Sequence, residues 1–238
     1  MSANNHSGNR NNWYRRTGSW LRSLGYFATL GVFGLIVSSL GSILPDLSAQ
    51  VSVPLNIASV VFTARALGFM FGSLLGGRTF DKHKGHPMFA VAFLTLSLLT
   101  AFIPINSNFW ILLGIVVVQG MMLGFLVVGA STFIVWEHTE NPSPWLNLQS
   151  FINGMGGFLS PLIISFSIGR FGDYSESFWI YAFLAGILAA YFLFLNSPDI
   201  REEKEKEKEL FETNGWRKPV YLMAVVFLLY VGAEVTFN

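Results

Sequence analysis

Cysteine is absent from this chain of 238 residues, which excludes disulfide bonds and thiolate metal sites. Charge is also scarce, because Asp, Glu, Lys and Arg together make up only 12% of the residues. An average soluble domain carries roughly 25%. So little charge leaves too little polar surface to keep a globule of this size in water. The net charge of +1 gives no indication of a nucleic-acid partner.

Motifs for enzymatic chemistry are lacking as well. The sequence has no glycine-rich phosphate loop, no cluster of His, Asp and Glu with metal-ligand spacing and no nucleophile motif. We therefore predict no catalytic residue, no metal site and no cofactor. The polar, asparagine-rich N-terminus also lacks the short apolar region and cleavage site of a signal peptide. We expect residues 1–23 to form a disordered tail.

Long hydrophobic runs dominate the rest of the chain. A membrane-spanning helix needs about 20 mostly apolar residues. Seven stretches reach or approach that length: Leu24–Leu44, Leu55–Gly77, Pro87–Ile105, Phe109–Trp136, Trp145–Ile168, Phe178–Leu195 and Pro219–Phe237. The pattern predicts an all-α membrane protein with a six-helix bundle at 24–195. A charged linker at 196–218 and a seventh helix at 219–238 follow it.

The basic residues indicate the orientation of the chain in the membrane. Thirteen of the 15 fall into three segments: Arg10, Arg15, Arg16 and Arg22; Arg78, Lys82 and Lys84; and Arg201, Lys204, Lys206, Lys208, Arg217 and Lys218. With the predicted spans, all three segments lie on one side. Because Lys and Arg accumulate on the cytoplasmic side, we expect the N-terminus to be cytoplasmic.

The last charged segment alternates acidic and basic residues at 201–212, which favours a solvated helix. Two interpretations stay open for it, a solvated linker and a helix that docks a partner. The chain then stops at Asn238, at the end of a span. We expect it to be a fragment of a longer protein.

The loop after the second span carries a motif. Gly77 is followed by Asp81-Lys82 and then by Gly85, with basic residues between them. This loop resembles the loop 2–3 signature of the major facilitator superfamily, in which the charged residues act as a conformational latch. The spacing has one extra residue before Gly85. The alternative is a solvated charged turn.

Further segments match in order over about residues 25–238. They are Leu44-Pro45-Asp46-Leu47, Arg65-Ala66-Leu67-Gly68, Trp136-Glu137-His138, Leu146–Phe151, Gly154–Leu162 and Tyr230–Val235. Together they resemble the sodium-dependent glucose transporter and fucose permease branch of that superfamily. The resemblance implies a twelve-helix transporter of two bundles, of which this chain holds the first and the opening helix of the second. A missing C-terminal bundle is therefore an expected partner, beside the lipid bilayer.

Polar residues inside the spans are the candidate solute ligands. Six are of interest: Arg65, Gln119, Gln149, Ser150, Asn153 and Glu234. At 100° per residue, Ser150, Asn153 and Gly157 share one helix face, and the resemblance places a sugar-contacting asparagine at Asn153. The alternative is hydrogen bonding between helices beside glycines that permit close packing. The same packing role is open to Gln119.

The two charged candidates also have alternatives. Arg65 would bind a solute hydroxyl, pair with an acid or extend outward to the interface. Insertion of a carboxylate into the middle of a span costs roughly 2.5–3.5 kcal/mol, so such a residue tends to face a cavity or water. Glu234 would therefore either line the cavity as a solute or cation ligand, or lie at the membrane interface.

The resemblance also bears on ion coupling. Relatives carry a carboxylate at Val127 and an asparagine at Ser131, and valine cannot bind a cation. We expect transport of a neutral polar solute, a hexose, across the plasma membrane by a uniporter or by a symporter coupled to Na⁺ or H⁺. The alternative function is a membrane sensor or scaffold that does not transport. A seven-helix receptor is the less favoured class of function, because such receptors have an external N-terminus and we expect a cytoplasmic one here.

Overall fold

The computed structural model describes residues 6–80, 85–195 and 197, with side chains from Trp20 onward. Residues 1–198 form one compact unit and 199–238 a second. The second unit lies outside the described residues. The predictions for the linker, the seventh helix and Glu234 therefore stay predictions, as do those for Asp81 and Lys82.

The described part of the chain is helical. Seven α-helices occur in it: α1 (His6–Gln50), α2 (Leu55–Ala58), α3 (Val60–Phe80), α4 (Gly85–Phe102), α5 (Phe109–Glu137), α6 (Ser143–Phe171) and α7 (Ser175–Phe194). A short 3₁₀ helix, Ile103–Ile105, extends α4. Six segments of the described residues are long and apolar enough to cross a membrane. This confirms the predicted all-α membrane fold.

The boundaries of α1 differ from the sequence prediction. We expected a disordered tail up to residue 23, whereas the helix begins at His6. At 1.5 Å per residue, its 45 residues extend over about 68 Å, roughly twice the bilayer core. At the other end α1 continues through Pro45 to Gln50, although a proline often ends a helix. The second span is divided at Ser59 into α2 and α3.

The helices pack chiefly in pairs, α3 with α5, α1 with α6 and α4 with α7. Glycines set the distance between α3 and α5. A Cβ atom added to Gly72 would lie 1.9 Å from the carbonyl oxygen of Met121, and one at Gly68 would lie 2.0 Å from that of Val117. From the α5 side, a Cβ added to Gly120 would lie 2.3 Å from the carbonyl oxygen of Arg65. Only glycine fits at these positions, because any side chain would separate the helices.

The pair α1 and α6 is built in the same way. An added Cβ at Gly156 would lie 2.3 Å from the carbonyl oxygen of Gly31, and one at Gly34 would lie 2.2 Å from that of Asn153. We call this contact the α1–α6 seam, defined by Gly31, Gly34, Asn153 and Gly156. It brings the backbones of two spans together without bulky side chains between them.

Aromatic rings fill the bundle at the end where Arg22 and Arg78 lie, which we call the basic end. The rings of Tyr26, Phe89 and Phe133 are fully buried there and contact one another. The start of α4 depends on this packing, because a Cβ at Gly85 would lie 2.0 Å from the Phe133 ring. Gly85, predicted as part of the latch, therefore has a steric reason to be glycine.

Polar side chains join the helices at the basic end. Arg22 donates to both carboxylate oxygens of Glu137, and its Nη2 lies 3.2 Å from Oε2. Ser23 Oγ lies 2.9 Å from His138 Nε2, and the His138 ring stacks on Trp145 with centroids 3.8 Å apart. Burial lowers the pKa of His138, an effect that the Glu137 carboxylate opposes. These contacts connect α1, α5 and α6.

A second polar network lies at the opposite end of the bundle. Gln50 Nε2 donates to the carbonyls of Ile103 at 3.0 Å and Asn106 at 2.7 Å, and Gln50 Oε1 accepts from the Tyr174 hydroxyl. Burial and the carboxylates of Asp173 and Asp46 raise the pKa of Tyr174. The hydroxyl therefore stays protonated and able to donate.

Replacement of Gly72 by alanine tests the glycine contact between α3 and α5. The added methyl group would meet a backbone carbonyl that cannot rotate away, so we expect the free energy of unfolding in detergent to fall by about 1–3 kcal/mol, as for an overpacked core. The control is Gly114→Ala on α5, where an added Cβ meets nothing within 4 Å. Equal stability of the two variants would contradict the close contact.

Candidate functional site

The middle of α1 carries a turn that two polar side chains contact. Arg65 on α3 donates from Nη1 to the carbonyl of Ile36 at 3.2 Å and from Nη2 to that of Val37 at 2.7 Å. Asn153 on α6 places Oδ1 3.0 Å from where a Cβ on Gly34 would lie. We call residues 34–38 the central turn. It lies near the midpoint of the first span, Trp20–Gln50.

The seam continues on the same side of the central turn. A Cβ added at Gly157 would lie 3.0 Å from the Ser38 hydroxyl oxygen. Gly41 and Gly154 have no neighbour within 4 Å of an added Cβ, and both are exposed. The chain therefore places small residues, open space and polar atoms together near the middle of the membrane. A few polar groups among apolar side chains, placed between helices, are typical of a small-molecule site.

Asn153 is the candidate whose side chain is available. It is half-buried, and among the described residues its amide makes no hydrogen bond. A half-buried amide retains two donors and an acceptor for a ligand. The role of Asn153 as a solute ligand stays a prediction.

Arg65 has a different environment from the one that the sequence suggested. Its side chain is 9% exposed, which excludes extension outward to the interface. No carboxylate in the described part of the chain contacts it, and its two hydrogen bonds go to backbone carbonyls of α1. Arg65 therefore connects α3 to the central turn, as a residue that positions α1.

The two glutamines are both buried between helices in the described structure. Gln119 is buried and donates to the Thr100 hydroxyl on α4 at 3.1 Å, which is the packing alternative. Gln149 is buried and accepts from Ser131 on α5 at 3.5 Å. Both retain one buried atom without a partner among the described residues, Gln119 Oε1 and Gln149 Nε2. Gln149 lies one turn from Asn153 on the same face of α6.

Ser150 and Gly77, two further candidates from the sequence, are both exposed. The Ser150 hydroxyl is exposed and donates to the carbonyl of Leu146 in its own helix at 3.0 Å. Gly77 lies on an exposed side of α3, and an added Cβ meets no atom within 4 Å. Neither has a steric or hydrogen-bonding connection to the central turn.

Sequence reasoning missed two polar contacts at the basic end. The pair Arg22–Glu137 connects α1 to α5, and Tyr26 bonds the buried His86 at 2.7 Å between its hydroxyl and Nε2. His86 Nδ1 also lies 3.1 Å from the carbonyl of Leu195. The available signal in the sequence was that Arg22 and Glu137 are charged residues at the ends of predicted spans. Nothing in their spacing indicated which ends meet.

No group of three or more His, Cys, Asp or Glu side chains among the described residues could hold a metal ion. Val127 is half-buried on α5. Asp46 is exposed at the end of α1 opposite the basic end.

Substitution of Arg65 distinguishes a positioning role from a role of its charge. Lysine keeps the positive charge and therefore the cost of placing it in the membrane, roughly 2.5–3.5 kcal/mol. Its compact ammonium group, however, cannot bridge two carbonyls as a guanidinium group does. We expect Arg65→Lys to lower the free energy of unfolding by about 2–3 kcal/mol, the value of one charge-assisted hydrogen bond. Arg65→Met removes both the bonds and the insertion cost and should stay within about 1 kcal/mol of the unchanged chain.

The measurement is equilibrium unfolding of the two variants in detergent micelles. Full stability of the lysine variant with loss of stability in the methionine variant would show that the charge itself is required. That result would restore an acidic partner or an anionic ligand for Arg65.

Similarity to known proteins agrees with this architecture. The model of the Major Facilitator Superfamily matches residues 24–237. Sodium-dependent glucose transporter 1 of Danio rerio is 30% identical over 63% of this chain and 25% of its own length. Sodium-dependent glucose transporter 1A of Mus musculus is 24% identical over 90% of this chain and 58% of its own length.

A third relative is Major facilitator superfamily domain-containing protein 4A of Mus musculus, which is 30% identical over 59% of this chain and 28% of its own length. The chain thus spans less than two thirds of the length of each of these relatives. The matches confirm the predicted superfamily and the similarity to sodium-dependent glucose transporters. This multi-pass membrane chain, with its paired helices and a central turn that Arg65 and Asn153 contact, belongs to the major facilitator superfamily of transporters and not to an enzyme family.

Proposed function

We propose that this chain supplies one half of a membrane transporter for a neutral polar solute, a hexose sugar, and that the solute binds beside the central turn. The observation that carries the proposal is Asn153. Its half-buried amide has no hydrogen bond among the described residues, and a Cβ added to the neighbouring Gly154 would meet no atom within 4 Å. Amide groups bind sugar hydroxyls without any change of charge. The relatives named as glucose transporters support a sugar as the solute.

The second half of the cavity would come from a second helix bundle. Of the six spans in the described residues, Ser143–Phe171 and Leu55–Phe80 have the lowest buried shares, 22% and 33%. A bundle that covers these faces would enclose the central turn. In alternating access the two bundles rock about a site near the bilayer midplane. We expect a cytoplasmic N-terminus and location in the plasma membrane.

Coupling to an ion is a separate part of the proposal. The names of the relatives favour sodium dependence, whereas valine at position 127 offers no carboxylate. We favour uniport, with Na⁺ or H⁺ symport as the alternative. Replacing external Na⁺ by choline, and raising the external pH, would leave the initial rate of uptake unchanged for a uniporter.

A sensor or scaffold that binds solute without flux is the second candidate. The described residues hold one bundle only, and Val127 removes a group that relatives use. Such a protein would bind sugar in detergent but would not carry it into vesicles.

Replacement of Asn153 by alanine tests the solute site. Loss of a hydrogen bond worth about 1.4 kcal/mol raises a dissociation constant about tenfold. We therefore expect the KM for hexose uptake to rise about tenfold. The assay is uptake of labelled hexose into vesicles that contain a protein carrying this chain together with the second bundle. Ser150→Ala is the matched control, because its hydroxyl bonds its own backbone and should leave uptake unchanged.

Two results would contradict the proposal. Equal KM values for the two variants would remove Asn153 from the site. Absence of uptake for every hexose tested, in a protein shown to be folded, would remove hexose transport itself.

A further inference from the structure

A groove between α4 and α5 lies apart from the central turn. It has a volume of about 360 Å³ and is lined by Pro87, Met88, Val91, Ala92, Met122 and Phe125. None of these side chains carries a charge or a hydrogen-bonding group other than the weakly polar methionine sulfur. A sugar would lose its hydrogen bonds to water there and gain none, so the groove is unsuited to the proposed solute.

The groove lies inside the membrane-spanning part of the bundle. Its α4 residues fall in the span Gly85–Ile105 and its α5 residues in the span Phe109–Glu137. From Pro87 to Ala92 it extends about 8 Å along α4 from the basic end inward. Val91 is 65% exposed, so the groove opens to the surroundings of the bundle.

Lipid hydrocarbon is the material that can fill such a groove. Water does not occupy a cavity without polar partners. An empty groove would leave its lining atoms without dispersion contacts. A flexible acyl chain fills an irregular apolar groove and contacts it on more than one side, whereas on a flat helix face it touches the protein on one side only.

The basic end supplies a charge for the lipid headgroup. Phe80 at the end of α3 packs its ring on Phe125, with centroids 4.5 Å apart, so the C-terminal residue of α3 contacts a residue that lines the groove. Arg78 lies in the last turn of α3 and is exposed. A basic residue at the membrane surface attracts anionic headgroups and contributes about 1 kcal/mol of binding free energy.

We propose that this groove is a binding site for one anionic phospholipid, whose acyl chain lies along Pro87, Val91 and Phe125 and whose phosphate lies near Arg78. The site does not depend on the proposed transport function, because it involves neither Asn153 nor the central turn. It would attach a lipid to the side of the bundle where α4 meets α5.

Photolabelling tests the acyl-chain part of the site. The chain is reconstituted in nanodiscs with phosphatidylglycerol that carries a diazirine on one acyl chain, irradiated, and digested for mass spectrometry. We expect labels to concentrate on residues 87–92 and 122–125. Val91→Trp should fill the groove and lower the yield there about fivefold, a loss of about 1 kcal/mol. Leu94→Trp is the matched control, since Leu94 is 55% exposed on α4 and does not line the groove.

Charge is tested with the same photoprobe on phosphatidylcholine. We expect the groove to take phosphatidylglycerol in preference, and Arg78→Gln to remove that preference without changing the fold, because Arg78 is exposed. Labels spread evenly over all exposed helix faces would overturn the proposal. So would equal yields in the two tryptophan variants, equal labelling by the two headgroups in the unchanged chain, or stronger labelling of the groove by a sterol probe.

Discussion

Apolar side chains gain nothing from association when the solvent is itself hydrocarbon, so the helices of this protein must attract one another in other ways. Close backbone contact is the way that most of the bundle uses. At Gly68, Gly72 and Gly120 the α3 and α5 backbones approach to distances that no other residue permits, and Gly34 and Gly156 do the same for α1 and α6. Dispersion contacts between backbones then replace the hydrophobic effect. Arg65 and Asn153 lie at these two contacts, because Gly120 packs on the Arg65 backbone and Gly34 packs on the Asn153 backbone.

Polar side chains occur at three levels of the bundle, with different consequences. At the basic end, Arg22 and Glu137 form an ion pair, and at the opposite end Gln50 bonds two carbonyls and a tyrosine. These groups lie at the two ends of the membrane-spanning helices. In the middle of the membrane, a polar side chain without a hydrogen-bond partner is more costly. There Arg65 donates to two backbone carbonyls, whereas the Asn153 side chain has no hydrogen bond among the described residues. That difference separates a positioning residue from a candidate ligand.

The first six spans were predictable because hydropathy and length alone define them, and glycines and motif order were enough to indicate the family. The partners of individual residues were not predictable. Arg65 could have met an acid, a solute or the interface, because sequence spacing does not say which carbonyls of α1 face α3. Gln119 and Asn153 look alike as single polar residues in apolar spans. Only the packing shows that one faces Thr100 on α4 and the other faces Gly34 on α1.

The extension of α1 to His6 was missed for a related reason. The asparagine-rich segment has little helical preference by composition, yet it continues a helix already formed in the span, and propagation costs less than nucleation. The groove beside α4 was also invisible in the sequence, because methionine, valine and alanine in a span indicate lipid contact without indicating concavity.

The close contact of α1 with α6 beside the central turn is the claim on which the candidate site depends. The chain has no cysteine, so the double variant Ser38→Cys with Gly157→Cys contains a single pair of thiols. A Cβ added to residue 157 would lie 3.0 Å from Ser38 Oγ. In a disulfide with an S–S bond of about 2.05 Å, the Cβ of one cysteine lies about 3.0 Å from the sulfur of the other, which matches this separation. Mild oxidation of the double variant in membranes should form the crosslink rapidly and within one chain. Two free thiols after oxidation, in a folded chain, would contradict the seam and the site built on it.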